Sequence, residues 1–185
     1  MTKKALIVVD PQTDFCLGGL LAVLDGDQVI EPLNRMIDFA IRRHWAIYFS
    51  REWHRAKTKH FDKWPVHCVE NTPGAAFHPN LHLPYNYPEF QIISKGLGDA
   101  DDYSAFDGGM KPTAKKLYIG GLATDYCVLW TVKKALELGY EVVLLLDACR
   151  AVNLKPDDGA KAIEEMRNAG ARIATTAEVM HELDD

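Results

Sequence analysis

The strongest constraint on this chain is a set of short apolar runs, rich in β-branched residues, with helical patterns between most of them. The runs are Ala5–Val9, Ala46–Ser50, Gln91–Ser94, Lys116–Ile119, Glu141–Leu146 and Ala171–Ala174. Ile7-Val8-Val9 and Leu144-Leu145-Leu146 do not alternate apolar with polar. A strand with one wet face alternates, so such runs are expected where both faces are covered. The intervening patterns are Asp27–Arg43, Tyr126–Leu138 and Lys155–Ala169. In the first, Val29, Ile30, Leu33, Met36, Ile37 and Ala40 recur with a helical period. Strand and helix in alternation argue for a parallel sheet covered on both sides. The expected fold is therefore α/β: a three-layer, Rossmann-like α/β/α sandwich on a mostly parallel six-stranded sheet, with residues 1–185 as a single domain.

Composition narrows the partners. A net charge of −5 leaves no basic footprint for nucleic acid. No apolar run approaches the roughly 18–20 residues of a membrane span. The run after Lys3-Lys4 is short and ends in Asp10-Pro11, which reads as a strand rather than a signal segment. Cys16, Cys68, Cys127 and Cys149 lack any C-x-x-C spacing, so reduced thiols and a cytoplasmic location are expected. Whether identical copies assemble stays open.

In open α/β sheets, ligands bind beyond the carboxyl ends of the strands. Asp10, Ser50-Arg51-Glu52, Lys95 and Gly120–Cys127 all fall at such ends. Asp10 is followed by Pro11-Gln12-Thr13-Asp14-Phe15, not by the glycine-rich turn of a dinucleotide site. Cys127 follows Gly120-Gly121-Leu122-Ala123-Thr124-Asp125-Tyr126, between a strand-like run and a helical one. The first turn of a helix stabilises a thiolate, so Cys127 is expected as an activated nucleophile. Asp10 can act as its base, and Lys95 can hold Asp10 ionised and oriented. Taken singly, each is more ordinary: a core cysteine, a strand-capping aspartate, a solvated lysine.

A second group is Glu52-Trp53-His54, then His60, then Trp64-Pro65-Val66-His67-Cys68. Carboxylate and imidazole groups at this spacing suit zinc or another divalent metal, although histidine-rich loops also occur without one. Phe15 and Trp64 are either core residues or the walls of a site for a flat substrate.

These segments together resemble the nicotinamidase/pyrazinamidase family of the isochorismatase-like cysteine hydrolase superfamily. The motifs are Val9-Asp10-Pro11-Gln12-Thr13-Asp14-Phe15, Trp64-Pro65-Val66-His67-Cys68-Val69, Thr72-Pro73-Gly74-Ala75, Ser94-Lys95-Gly96 and Gly121-Leu122-Ala123-Thr124-Asp125-Tyr126-Cys127-Val128. The resemblance implies an isochorismatase-like fold, a catalytic Asp10, Lys95 and Cys127, and a cis peptide between Leu122 and Ala123. It implies an oxyanion hole from the N–H groups of Ala123 and Cys127. It also implies Phe15 and Trp64 beside a nicotinamide ring, and a divalent metal, zinc by expectation with manganese or iron as alternatives. His54 and His67 match family metal ligands, and His60 a further ligand or supporting group. The usual Asp-x-His is replaced by Glu52-Trp53-His54. Glu52 either ligates the metal or pairs with Arg51. The activity implied is hydrolysis of nicotinamide in NAD salvage. The rival readings are an amidase for carbamoyl or ureido compounds, and a non-catalytic metal- or metabolite-binding domain.

Overall fold

The computed structural model describes residues 4–184; the outermost positions of the expected domain, 1–3 and 185, lie outside them. Six strands form one sheet: β1 (Lys4–Val9), β2 (Ala46–Glu52), β3 (Phe90–Lys95), β4 (Lys116–Leu122), β5 (Glu141–Arg150) and β6 (Arg172–Ala174). Their order is β3-β2-β1-β4-β5-β6, and every pairing is parallel. The expectation of a mostly parallel sheet is thus met by one that is parallel throughout.

Along β1 the side chains divide between two cores. Leu6 and Val8 join Leu33, Met36 and Ile37 of helix α1 (Ile30–Arg42) and Val179 of α4 (Thr176–Asp184). Ala5, Ile7 and Val9 join Val132 and Ala135 of α2 (Leu129–Glu137), with Ala162 and Met166 of α3 (Asp158–Asn168). Period-2 side-chain geometry on a sheet covered on both faces requires both sets to be apolar. Each fully buried Leu, Ile or Met contributes about 1.5–3 kcal/mol.

Two elements depart from the sequence reading. Leu146, expected inside, is 38% exposed, because β6 pairs β5 only as far as Leu145. Helix α4 has no counterpart in the expected elements. Its signal is the capping box Thr175-x-x-Glu178: Glu178 accepts from Thr175 N at 2.7 Å, and Glu178 N donates to Thr175 Oγ1 at 3.2 Å.

The register sets the reactive edge. Val9 pairs with Ser50 on one side and Gly121 on the other, while Glu52 pairs with Lys95. The residue after Val9 therefore emerges where the strand order reverses, the usual crevice of such sheets. Gly121 has φ +136°, and a Cβ there would sit 2.0 Å from the Val9 carbonyl oxygen, so only glycine lets β4 hug β1 at this point.

Candidate active site

Asp10, Lys95 and Cys127, scattered in sequence, converge at that edge and are buried. Lys95 Nζ lies 2.8 Å from Asp10 Oδ2, 3.2 Å from Glu52 Oε1 and 3.3 Å from Cys127 Sγ. Ser50 Oγ donates to Asp10 Oδ1 at 2.7 Å. Asp10 Oδ2 has the lysine as its ion-pair partner but no well-aligned hydrogen bond. It is the acceptor left over for a proton, and an Asp10 oxygen lies within 4.8 Å of Cys127 Sγ. Cys127 itself sits in a π-type turn, Thr124–Val128, where Val128 N donates to Ala123 O, five residues back. Such turns recur at functional sites. The peptide joining Leu122 to Ala123 is cis.

The charges decide which group holds a proton. Burial pushes the Cys127 thiol well up; Lys95 opposes this, and Glu52 and Asp10 add to it. Burial thus works against the thiolate expected from the helix terminus, and Sγ stands 3.3 Å from both Glu52 Oε1 and Lys95 Nζ. Burial also raises Asp10, with Glu52 reinforcing it, against the opposing pull of Lys95 and Ser50. For Glu52 burial again acts upward, but the Lys95 charge and the bonds to His54 and His67 outweigh it and hold the carboxylate well below its ordinary value. Burial would lower Lys95, yet Asp10, Cys127 and Glu52 together keep it firmly protonated.

Beside this group, donor atoms of Glu52, His54, His60 and His67 all lie within 4.8 Å of one another, and all four residues are buried. Glu52 Oε2 is 3.1 Å from His54 Nε2 and 2.8 Å from His67 Nε2. Arg51 does not compete for the carboxylate: its guanidinium stacks on Trp53 at 3.7 Å and its Nε donates to Ser94 Oγ. The Arg51–Glu52 alternative is thereby excluded. Between the two groups lies a small cavity of about 30 Å³, lined by Phe15, Trp64, Tyr103, Tyr126, Ala123 and Cys127, among others.

The isochorismatase domain family matches residues 4–178. The nicotinamidase of Escherichia coli K12 is 39% identical, with 96% of this chain and 97% of that protein aligned. The chain belongs to the nicotinamidase/pyrazinamidase family. The nicotinamidase/pyrazinamidase of Mycobacterium tuberculosis is 31% identical across 94% of this chain and 100% of that one. Among solved structures, the pyrazinamidase of Pyrococcus horikoshii in complex with zinc superposes with a TM-score of 0.84 at 39% identity, covering 94% of this chain and 99% of that chain.

Within this family member the imidazole orientations test whether a metal suits the donor set. His54 Nδ1 faces the Gly96 carbonyl at 3.0 Å, His67 Nδ1 the Pro65 carbonyl at 2.7 Å, and His60 Nδ1 the Asp101 carboxylate at 3.2 Å. Each Nδ1–H donates outward, which leaves a lone pair on Nε2. At His54 and His67 that lone pair meets another acceptor, Glu52 Oε2, unless the ring gains a second proton or a cation sits between them. One carboxylate with three neutral imidazoles suits zinc, manganese or iron(II). The cluster of Cys16, Asp27 and His78 makes an instructive contrast. There His78 Nδ1 accepts from Asn80 N, so Nε2 carries the proton and donates to Asp27 at 3.2 Å. No lone pair is left for a metal.

Several residues that matter here were not singled out by sequence. Gln12 clamps the Glu52 backbone from both sides: Oε1 accepts from Glu52 N at 2.7 Å, and Nε2 donates to Glu52 O at 2.7 Å. Its signal was its place in the Asp10–Phe15 motif. Tyr103 accepts from Trp64 Nε1 at 3.0 Å, and the Tyr126 ring meets Trp64 edge-on at 4.8 Å. Aromatic residues in an Asp- and Gly-rich loop carried that signal weakly. Cys68, next to His67, is fully buried, and its N–H donates to Asp14 Oδ2 at 2.7 Å.

Proposed function

We propose that this protein hydrolyses nicotinamide, and by the same chemistry pyrazinamide, to the carboxylate and ammonia, in NAD salvage in the cytoplasm. The observation that carries the reading is the burial of Asp10 and Lys95 beside Cys127, which itself lines an aromatic-walled cavity. In this reading Phe15 and Trp64, which line that cavity, flank the substrate ring.

Glu52 and Asp10 both stand near the thiol, but their environments push their proton affinities apart, which is how roles are divided between paired carboxylates. Glu52 is held low and is a poor base; Asp10 is raised and is the better acceptor. Asp10 takes the Cys127 proton as Sγ bonds to the carboxamide carbon. The N–H groups of Ala123 and Cys127 receive the developing oxyanion. Asp10 then gives its proton to the departing nitrogen, the C–N bond breaks, ammonia leaves and a thioester remains. Water attacks the thioester while Asp10 accepts its proton; the C–S bond breaks and the proton returns to Sγ. Lys95 stays protonated throughout, keeping Asp10 oriented.

Glu52, His54, His60 and His67 would hold one divalent ion, with zinc favoured by their donor chemistry and by the zinc-bound pyrazinamidase of similar fold. When bound, such an ion supplies a Lewis-acid site for the nitrogen of the substrate ring.

The test is ammonia release from nicotinamide by the wild type and by Cys127→Ala. The variant should bind nicotinamide and melt close to the wild type, with no detectable turnover. Residual hydrolysis near the wild-type rate would remove Cys127 from the nucleophile role.

A further inference from the structure

We propose that Asp101 is the positioning residue that makes His60 an effective metal ligand. The inference rests on the reading of the Glu52 cluster as a divalent-metal site.

The three histidines are not held alike. His54 is anchored by the carbonyl of Gly96, directly after β3, and His67 by that of Pro65, two residues before it. Both anchors are backbone. His60 stands on a short turn, Lys59–Asp62, and its Nδ1 partner is a side chain from a separate loop, Asp101 Oδ1 at 3.2 Å. The other Asp101 oxygen is gripped by Lys63 Nζ. A carboxylate held at both oxygens fixes the ring plane and the tautomer. It also makes Nε2 a stronger donor toward a cation than a carbonyl does. The ring so fixed stacks on His54 at 4.5 Å with 15° between planes.

The loop that supplies Asp101 runs along the His60 segment as a ladder. Thr58 Oγ1 donates to Gly98 O at 3.0 Å, Lys59 N to Asp99 Oδ1 at 3.2 Å, and Trp64 Nε1 to Tyr103 OH at 3.0 Å. Asp99 therefore holds the same two segments together without touching a histidine. It separates loop docking from ring orientation.

The experiment measures Zn²⁺ affinity of the metal-stripped, full-length protein by competition with a chromophoric chelator, with melting curves to verify folding. Asp101→Ala should weaken Zn²⁺ binding by about 10- to 100-fold. Asp101→Asn, whose amide oxygen still accepts from Nδ1–H, should lose less, and it carries the test if the alanine variant fails to fold. Asp99→Ala should leave the affinity within about 2-fold of wild type. Wild-type affinity in Asp101→Ala overturns the proposal. So does an equal loss in Asp99→Ala, which would make loop docking the cause. A wild type that takes up no Zn²⁺ at all overturns the metal reading itself, a result distinct from unaltered binding in the Asp101 variants.

Discussion

Lys95→Met removes the ammonium at the buried edge while keeping the length and most of the volume of the side chain. Packing then changes little, and electrostatics set the outcome. The ammonium lies 2.8 Å from Asp10 and 3.2 Å from Glu52, and none of the three side chains is more than 4% exposed. Removing one partner of a buried ion pair leaves an uncompensated charge and costs about 3–5 kcal/mol. For a chain of 185 residues, each kcal/mol moves the melting temperature by about 2–4 °C, so a fall of about 6–20 °C is expected near neutral pH. The pH dependence has a definite sign. In the wild type, Glu52 is held below its ordinary value of 4.5, so its contribution is present above that pH and lost on acidification. Lys95, raised above 10.5, contributes below that pH. Asp10 is raised, and opposes stability above its unfolded value. Without the lysine, burial and Glu52 raise Asp10 further, so that it is still easier to protonate folded than unfolded, and Glu52 loses the largest influence holding it low. The deficit of Lys95→Met should therefore shrink as pH falls from about 8 toward 5. Circular-dichroism melts of metal-stripped wild type and variant across that range provide the measurement. A fall smaller than about 3 °C, or a deficit independent of pH, would refute the buried-ion account.

Asp10→Asn should lower ammonia release by about 10²- to 10⁴-fold, the range for loss of a general base; wild-type rates would show that Glu52 serves instead. Glu52→Gln should weaken zinc retention, measured by elemental analysis after dialysis, whereas Arg51→Ala should not, since Arg51 lies on Trp53. Glu52→Asp is shorter by about 1.5 Å and cannot keep both the histidine contacts and the Lys95–Cys127 contacts; tight zinc binding with impaired turnover is the expected split. At Gly96→Ala a Cβ would stand 2.5 Å from the His54 ring on a backbone at φ +74°, so loss of zinc and a lower melting temperature should appear together.

Much of this was legible because strand ends announce themselves. An apolar run closed by Asp10, Ser94-Lys95 or Gly120-Gly121 marks where the backbone leaves the sheet, and parallel pairing brings such ends together. What could not be read was direction at the scale of single atoms. Both metal ligation and a surface ion pair were open to Glu52, and only the register opposite Lys95 turns it inward. Cys127 was read from its elbow, which favours ionisation; the burial that opposes this depends on elements far off in sequence. Asp101 and Gln12 act through hydrogen bonds spanning about forty residues, and no local pattern encodes such a partner.

The strand order bears on how the molecule is made. β1 is the first strand of the sheet to be synthesised, yet it lies in the interior, between β2 and β4. During translation its outer edge waits until β4 emerges about a hundred residues later, an interval of about 5–20 s at ordinary elongation rates. For most of that interval Asp10 exists without Lys95, and throughout it without Cys127, while a row of unpaired backbone N–H and C=O groups lies open to pairing with another nascent chain. The risk of mispairing is therefore greatest before the two halves of the reactive edge have met.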